Sequence, residues 1–314
     1  MKTLLTLLCL ALTFATAYAQ KAAKGKPKSD GIRAPKLTDA PVKNEERLYK
    51  TTPQGELKLH FSFPVDWKAT DQRPGIVFFF GGGWKSGKYT QFSSLCDYLA
   101  SRGMVAASAD YRIDSIHHTT PDKCVEDAKS AVRWIRAHAA ELGIDPNKVL
   151  AGGGSAGGHL AACTATIDTL DAESDDQSIS AKPNAMVLFN PALNIGTLYR
   201  ERATGDAKFS LAQADAITPN DFLSKSTPPA ILFFGTADKL KAGADEYLSK
   251  AKALGLRAEF WTAKDQPHGF FNRAPWTQVT AQKVDEFLAS LGYIPGPPKV
   301  VLPPDAPGLS RVAP

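Results

Sequence analysis

Three side chains far apart in this chain have the types needed for one piece of chemistry. Ser155 stands in Gly153-Gly154-Ser155-Ala156-Gly157, between an apolar run that ends at Ala151 and a helical stretch from His159. A serine hydroxyl becomes a nucleophile when a base takes its proton and an acid holds that base in place. Small neighbours allow the serine to stand on a sharp turn with its hydroxyl projecting, and the glycines at 153 and 157 supply them. His268 lies in Asp265-Gln266-Pro267-His268-Gly269-Phe270, just after a late strand, where a base can reach back over a sheet. Asp238, in Gly235-Thr236-Ala237-Asp238, ends another strand and lies between the other two in sequence. A fourth feature, Gly81-Gly82-Gly83-Trp84, follows the run Phe78-Phe79-Phe80. Unshielded N–H groups in such a turn, together with that of Ala156, can converge on a negative oxygen. The chemistry these four features share is acyl transfer.

Each residue also has a plainer reading. A glycine-rich strand-to-helix turn can bind phosphate. Here the Lys-Ser/Thr pair of a P-loop is missing, and a dinucleotide-binding turn would follow the first strand rather than lie mid-chain. Asp238 could cap the helix after it, with Asp221 and Asp265 as substitute acids. Of the six histidines, His60 in an early strand and His138 on a helix face read as structural. His159 is one turn beyond Ser155 and reads as packing or support, because a base must approach the hydroxyl from outside the turn. His117 and His118 fall in a loop that could line a pocket. Trp84 either walls the acyl or alcohol pocket or packs.

The elements that must position these residues alternate. Apolar strand signals lie at Leu57 to Phe63, Gly75 to Phe80, Met104 to Ala109, Lys148 to Ala151, Ala185 to Phe189, Ala230 to Phe234 and Ala258 to Thr262. Helical spacing marks Phe92 to Ser101, Pro121 to Leu142, His159 to Ile167, Gly243 to Leu254 and Thr277 to Leu291. Strand–helix alternation predicts an α/β fold with a mostly parallel central sheet flanked by helices. Active residues of such sheets sit in loops at the carboxyl ends of strands, where Ser155, Asp238 and His268 all fall. The 314 residues, 43% of them hydrophobic, suit one such domain.

The two ends read differently from the middle. Lys2, the apolar run Leu4 to Phe14 and Ala17-Tyr18-Ala19 form the pattern of a secretory signal over residues 1–19, with a secreted or periplasmic destination expected. Residues 20–45 read as a flexible basic leader, 46–293 as the folded domain and 294–314, with seven prolines, as an extended tail. The formal charge is +5, with Lys21, Lys24, Lys26, Lys28, Arg33 and Lys36 clustered in the leader. No aromatic residue is interleaved for base stacking, so the leader reads as a solvated tail and no nucleic-acid partner is expected. No segment after the signal has the length of a membrane span. Cys96, Cys124 and Cys163 leave room for one Cys96–Cys124 bridge or for packed free thiols. No Cys or His spacing suggests a metal, and no cofactor is implied.

Together these motifs resemble the hormone-sensitive-lipase-like branch of α/β-hydrolase esterases and related carbohydrate esterases, over Leu57 to Leu291. The resemblance implies that Gly82, Gly83 and Ala156 form the oxyanion hole and that Asp110-Tyr111-Arg112 supports the loops behind the site. The sequence departs from the family pattern at Phe80, commonly histidine, and at Gly154, commonly aspartate. The family often carries a helical cap. Here Asn194 to Ser226, with Tyr199, Arg200, Arg202 and Phe222, has room for a small one at most. The expected activity is hydrolysis of short acyl esters, acetyl esters foremost, on a small molecule or a plant or algal polysaccharide. A serine peptidase of the same fold and a non-catalytic carbohydrate-binding homologue are the competing readings.

Overall fold

The structure, a computed structural model, describes residues 35–202 and 208–313. The expected signal segment and the basic part of the leader lie outside the described residues. Among the described residues the chain forms a nine-stranded sheet in the order β1-β2-β4-β3-β5-β6-β7-β8-β9. The strands are β1 Val42–Thr52, β2 Gly55–Pro64, β3 Arg73–Phe79, β4 Val105–Ala109, β5 Ile144–Gly154, β6 Met186–Phe189, β7 Ala230–Gly235, β8 Ala258–Ala263 and β9 Ser310–Val312. The run from β4 through β3, β5, β6 and β7 to β8 is parallel, while β1, β2 and β9 join antiparallel at the two sides. This is the α/β-hydrolase architecture, mostly parallel with flanking helices.

The central strands are continuous apolar runs because both their faces are covered. In β3, Val77 and Phe79 face one core layer and Ile76 and Phe78 face the other. The first layer is closed by helices α3 (Pro121–Ala137), α4 (Ala156–Thr166) and α7 (Lys241–Leu254). The second is closed by α1 (Ser93–Ser101) and α8 (Trp276–Ser290). A one-turn helix, α2 (Asp114–His117), precedes α3, and two short helices, α5 (Ile195–Arg202) and α6 (Leu211–Ala216), lie between β6 and β7. Pro121 opens α3 as expected of a residue with no N–H to lose there. The helix stops at Ala137, short of Leu142, where the chain turns toward Gly143 at φ +62°.

The layers decide the cysteine question. Cys96 packs in one layer and Cys124 in the other, so the sheet lies between them and no bridge forms. All three thiols are free and buried, and burial pushes each well above its usual pKa.

Both expected domain boundaries move outward. The leader was expected to run to residue 45, but Val42 already pairs with Pro64 in β1, and the buried Leu37 is tied through its N–H to Ser94 Oγ at 2.9 Å. Proline content concealed the packing of the segment after 293. Ile294 is buried, and Val300, Leu302, Ala306 and Leu309 lie against the second core layer. Arg102 donates to the carbonyls of Pro295 at 2.7 Å and Gly296 at 3.3 Å, and β9 then pairs with β8. Segment 294–313 is therefore an extended strap on the domain. No helix among the described residues is long and apolar enough to cross a membrane.

Candidate active site

Ser155 occupies the turn from β5 into α4 with φ 53° and ψ −116°. A non-glycine residue in this region stores strain that the surroundings must hold, of order 1–3 kcal/mol. The holding bonds are Ser155 N–H to Phe189 O at 2.8 Å and His159 N–H to Ser155 O at 2.9 Å. The neighbouring glycines are sterically required. A Cβ on Gly157 would stand 1.9 Å from Phe79 O, and one on Gly153 would stand 2.5 Å from the Gly157 carbonyl group.

The fold brings the three sequence-predicted residues into one line. Ser155 Oγ lies 2.8 Å from His268 Nε2, and His268 Nδ1 lies 2.8 Å from Asp238 Oδ2. A carboxylate only accepts, so Nδ1 carries the proton and Nε2 is free to accept from the serine hydroxyl. The Asp238 side chain is 1% exposed and that of His268 is 41% exposed. The acid is thus shielded and the base faces the cavity. Asp238 Oδ1 also accepts from the Leu240 N–H at 2.9 Å, just ahead of α7, whose N-cap is Leu240 and carries no side-chain cap bond, so Asp238 is not that helix's cap. Asp221 instead pairs with Lys250 at 3.5 Å, and Asp265 is exposed on its loop.

One supporting residue escaped the sequence reading. Asn190, fully buried at φ +46°, donates from Nδ2 to Asp238 Oδ2 at 2.8 Å. It shares that oxygen with His268 and limits how the carboxylate can turn. Only its position directly after β6 could have signalled it.

The glycine loop is shaped by the same steric logic. Gly82 has φ +133°, and a Cβ there would stand 1.9 Å from Ser86 O. A Cβ on Gly81 would stand 3.2 Å from Ser155 Cβ, so the loop lies directly against the serine. The N–H groups of Gly82, Gly83 and Ala156 make no hydrogen bond within the described residues. That of Gly81 is taken by Gln91 Oε1 at 2.6 Å. Gln91 Nε2 donates to Asn272 Oδ1 at 3.0 Å, and Asn272 Nδ2 donates to Gly269 O at 3.1 Å. This two-residue bridge ties the glycine loop to the residue beside His268.

Both departures from the family pattern have a local cause. Phe80 stacks on Tyr111 at 4.2 Å and its carbonyl accepts from Tyr111 Oη at 2.7 Å. Packing there and Gln91 beside it hold the loop. At Gly154 a Cβ would stand 2.6 Å from the Phe271 ring, so aromatic packing fills the space a side chain would need. Arg112 grips the buried Asp127 with two nitrogens, each at 2.8 Å.

Of the other histidines, His60, His138 and His159 pack within the fold, whereas His117 closes the short helix α2 and neither it nor His118 lines the cavity beside Ser155. His60 bonds Asp110 at 3.0 Å and stacks on Tyr89, and His138 stacks on Trp134. His117 turns its Nδ1 back toward the Ile113 backbone at 2.9 Å. His159 is fully buried, and its Nε2 lies 2.7 Å from Ile217 O. Burial pushes its pKa down to about 4, so it is neutral and donates. Its ring also meets the edge of Trp84 at 5.2 Å.

Ser155, His268, Gly83, Ala156 and Trp84 face a cavity of about 830 Å³. Gly82 is exposed and is not part of this lining. The far wall is the small cover between β6 and β7, which contributes Ile195, Leu198, Tyr199 and Phe209. Among the described residues no group of three or more His, Cys, Asp or Glu is arranged to hold a metal.

The chain is similar to known proteins in sequence and fold. The family model described as BD-FAE matches residues 64–244. Esterase 2 of Thermogutta terrifontis, in a structure phosphorylated by paraoxon, is 43% identical with a TM-score of 0.74, covering 81% of this chain and 96% of that one. Its propionate-bound structure is 42% identical over 84% and 98% of the two chains, also with a TM-score of 0.74. Carboxylesterase NlhH of Mycobacterium tuberculosis is 25% identical over 240 residues, 70% of this chain and 74% of that one. The probable isoprenylcysteine alpha-carbonyl methylesterase ICMEL1 of Arabidopsis thaliana is 25% identical over 250 residues. The chain spans about half the length of this plant relative, 51%, against 73% of its own. Family match, sheet order and esterase likeness agree: the chain belongs to the BD-FAE family and is an α/β-hydrolase-fold carboxylic ester hydrolase of the hormone-sensitive-lipase-like group.

Proposed function

We propose that the protein hydrolyses short acyl esters, acetyl esters foremost, through a covalent intermediate on Ser155, and that it does so outside the cytoplasm on acylated polysaccharide. The observation that carries the chemistry is the unbroken line from Ser155 Oγ through His268 to the shielded Asp238, with 2.8 Å at each step. His268 Nε2 takes the hydroxyl proton as Oγ attacks the ester carbonyl. The carbonyl oxygen becomes an anion beside the open N–H groups of the glycine loop and Ala156. The imidazolium, stabilised by Asp238, returns the proton to the leaving alcohol as the C–O bond breaks. Water repeats the attack, and the acid leaves with Ser155 restored.

Support for a short acyl group comes from propionate in the related esterase 2. Support for a bulky alcohol comes from the cavity. At about 830 Å³ it is near the upper end of small-molecule sites and far exceeds an acetyl group. Export rests on the pattern of residues 1–19.

A panel of 4-nitrophenyl esters from acetate to octanoate, with acetylated xylan and pectin, tests this reading. Short esters should react best, acetate should be released from polymer, and Ser155→Ala should lower kcat at least about 10⁴-fold without unfolding. Full activity of Ser155→Ala would end the mechanism, and a preference for octanoate would end the short-acyl reading.

A further inference from the structure

We propose that the cavity selects esters that carry a carboxylate, an inference that rests on Ser155 being the nucleophile. Lys85, Lys208 and Lys239 line the cavity from three separate segments. Lys85 follows Trp84 on the glycine loop, Lys239 follows Asp238, and Lys208 lies on the cover. Three cations have thus been brought to one opening by loops that are distant in sequence.

Six lysines elsewhere are ion-paired at close range, whereas Lys68, Lys88, Lys225 and Lys264 have no ion pair among the described residues. Lys50, Lys123, Lys129, Lys241, Lys250 and Lys283 each have a carboxylate between 2.5 and 2.8 Å away. Lys85 and Lys239 have no ion pair within the described residues, although both stand beside the site. The acidic groups lining the cavity are Asp114 and Asp238. Asp238 is shielded, and its two oxygens are occupied by His268, Asn190 and the Leu240 N–H. Asp114 is the one acidic side chain left to offset Lys85 and Lys239 within the lining of described residues. The positive end of α4 adds to the same field. The same lining holds the apolar Ile195, Leu198, Tyr199 and Leu240. Such a lining suits a body of low polarity or a sugar face that also carries an anion.

The size of the effect follows from charge and distance. A carboxylate about 6 Å from one lysine in water gains about threefold in binding, and two such lysines about tenfold. Salt should erase the gain, because raising ionic strength from about 0.01 M to about 1 M shortens the screening length from about 30 Å to about 3 Å. The carboxylate could sit on the acyl or the alcohol side. The test therefore has two arms, each with a neutral partner: 4-acetoxybenzoate against its methyl ester for the alcohol side, and mono-4-nitrophenyl adipate against 4-nitrophenyl hexanoate for the acyl side.

The readout is the anionic-to-neutral ratio of kcat/KM, for wild type in low and high salt and for Lys85→Gln/Lys239→Gln in low salt. In at least one arm the ratio should fall about tenfold with salt and about fivefold or more in the double variant, with neutral esters within about twofold. The arm that responds identifies the side that carries the charge. Turnover of the neutral esters with neither ratio moving beyond twofold would overturn the inference while leaving the esterase reading standing. Failure to turn over any ester would overturn both. The salt series on wild type needs no variant, so a misfolded double substitution would not shelter the idea.

Discussion

The two walls of the cavity are built on opposite principles. On the catalytic side, backbone meets backbone: side chains are excluded at Gly82, Gly153 and Gly157 by atoms 1.9–2.5 Å from where a Cβ would stand. On the cover side, two helices of eight and six residues are held by side chains. Tyr199 bonds the Phe209 carbonyl, Arg200 pairs with Asp215 at 2.7 Å, and Ser210 and Gln213 form a capping box. The difference teaches where each property resides. Reaction geometry is set by backbone sterics that tolerate no addition, whereas the shape of the pocket is set by contacts that exchange one residue at a time. His159 is the strut between the walls, touching Trp84 on one side and Ile217 on the other.

The largest test of this contrast is Gly157→Ala. Its methyl group would meet Phe79 O on a central strand, so relief requires moving the serine turn itself. We expect a stability loss of about 3 kcal/mol and a fall in kcat/KM of about a hundredfold. Thermal unfolding and ester kinetics check it, and a fully active, stable variant would break the comparison.

The strut gives the next effect. His159 has its pKa held down to about 4 in the folded state, against about 6.5 when unfolded. Its contribution is complete above pH 6.5 and is lost as pH falls toward 4, because the unfolded chain takes up the proton first. Between pH 7 and pH 4 the wild type should lose about 3 kcal/mol more than His159→Gln, which cannot protonate. Urea unfolding of both proteins at the two pH values measures this, and equal losses would contradict the burial argument.

A smaller effect sharpens the catalytic side. Gln91→Leu removes the acceptor for the Gly81 N–H and the donor to Asn272. The open N–H groups should drift from the position of the oxyanion, lowering kcat by about tenfold to a hundredfold with KM little changed. Gln91→Glu keeps the first bond and should recover part of the loss. The smallest effect is on the cover. Phe209→Ala should raise KM a few-fold, at about 1 kcal/mol of lost apolar contact, with kcat within about twofold.

The contrast also explains what was legible in the sequence. Ser155, Asp238 and His268 could be read because their chemistry is distinctive and each closes a strand. Asn190, Gln91 and Asn272 could not, because an amide acting through bonds to residues 48, 10 and 3 positions away leaves no local pattern. Strand β1 went unread because an edge strand that keeps Lys43, Glu46 and Arg47 in water lacks apolar alternation. The strap after residue 293 was hidden by its prolines, whose apolar neighbours at 300, 302, 306 and 309 carry the packing.

The central claim, that Ser155 is the nucleophile, is tested most directly by covalent marking. Paraoxon should transfer its diethylphosphoryl group to Ser155 Oγ with release of 4-nitrophenol, as the related esterase 2 is phosphorylated by this reagent. Intact mass and peptide mapping should show one adduct per chain, located at Ser155, with ester turnover lost in proportion and no adduct on Ser155→Ala. An adduct on another residue, or ester hydrolysis that survives complete marking of Ser155, would contradict it.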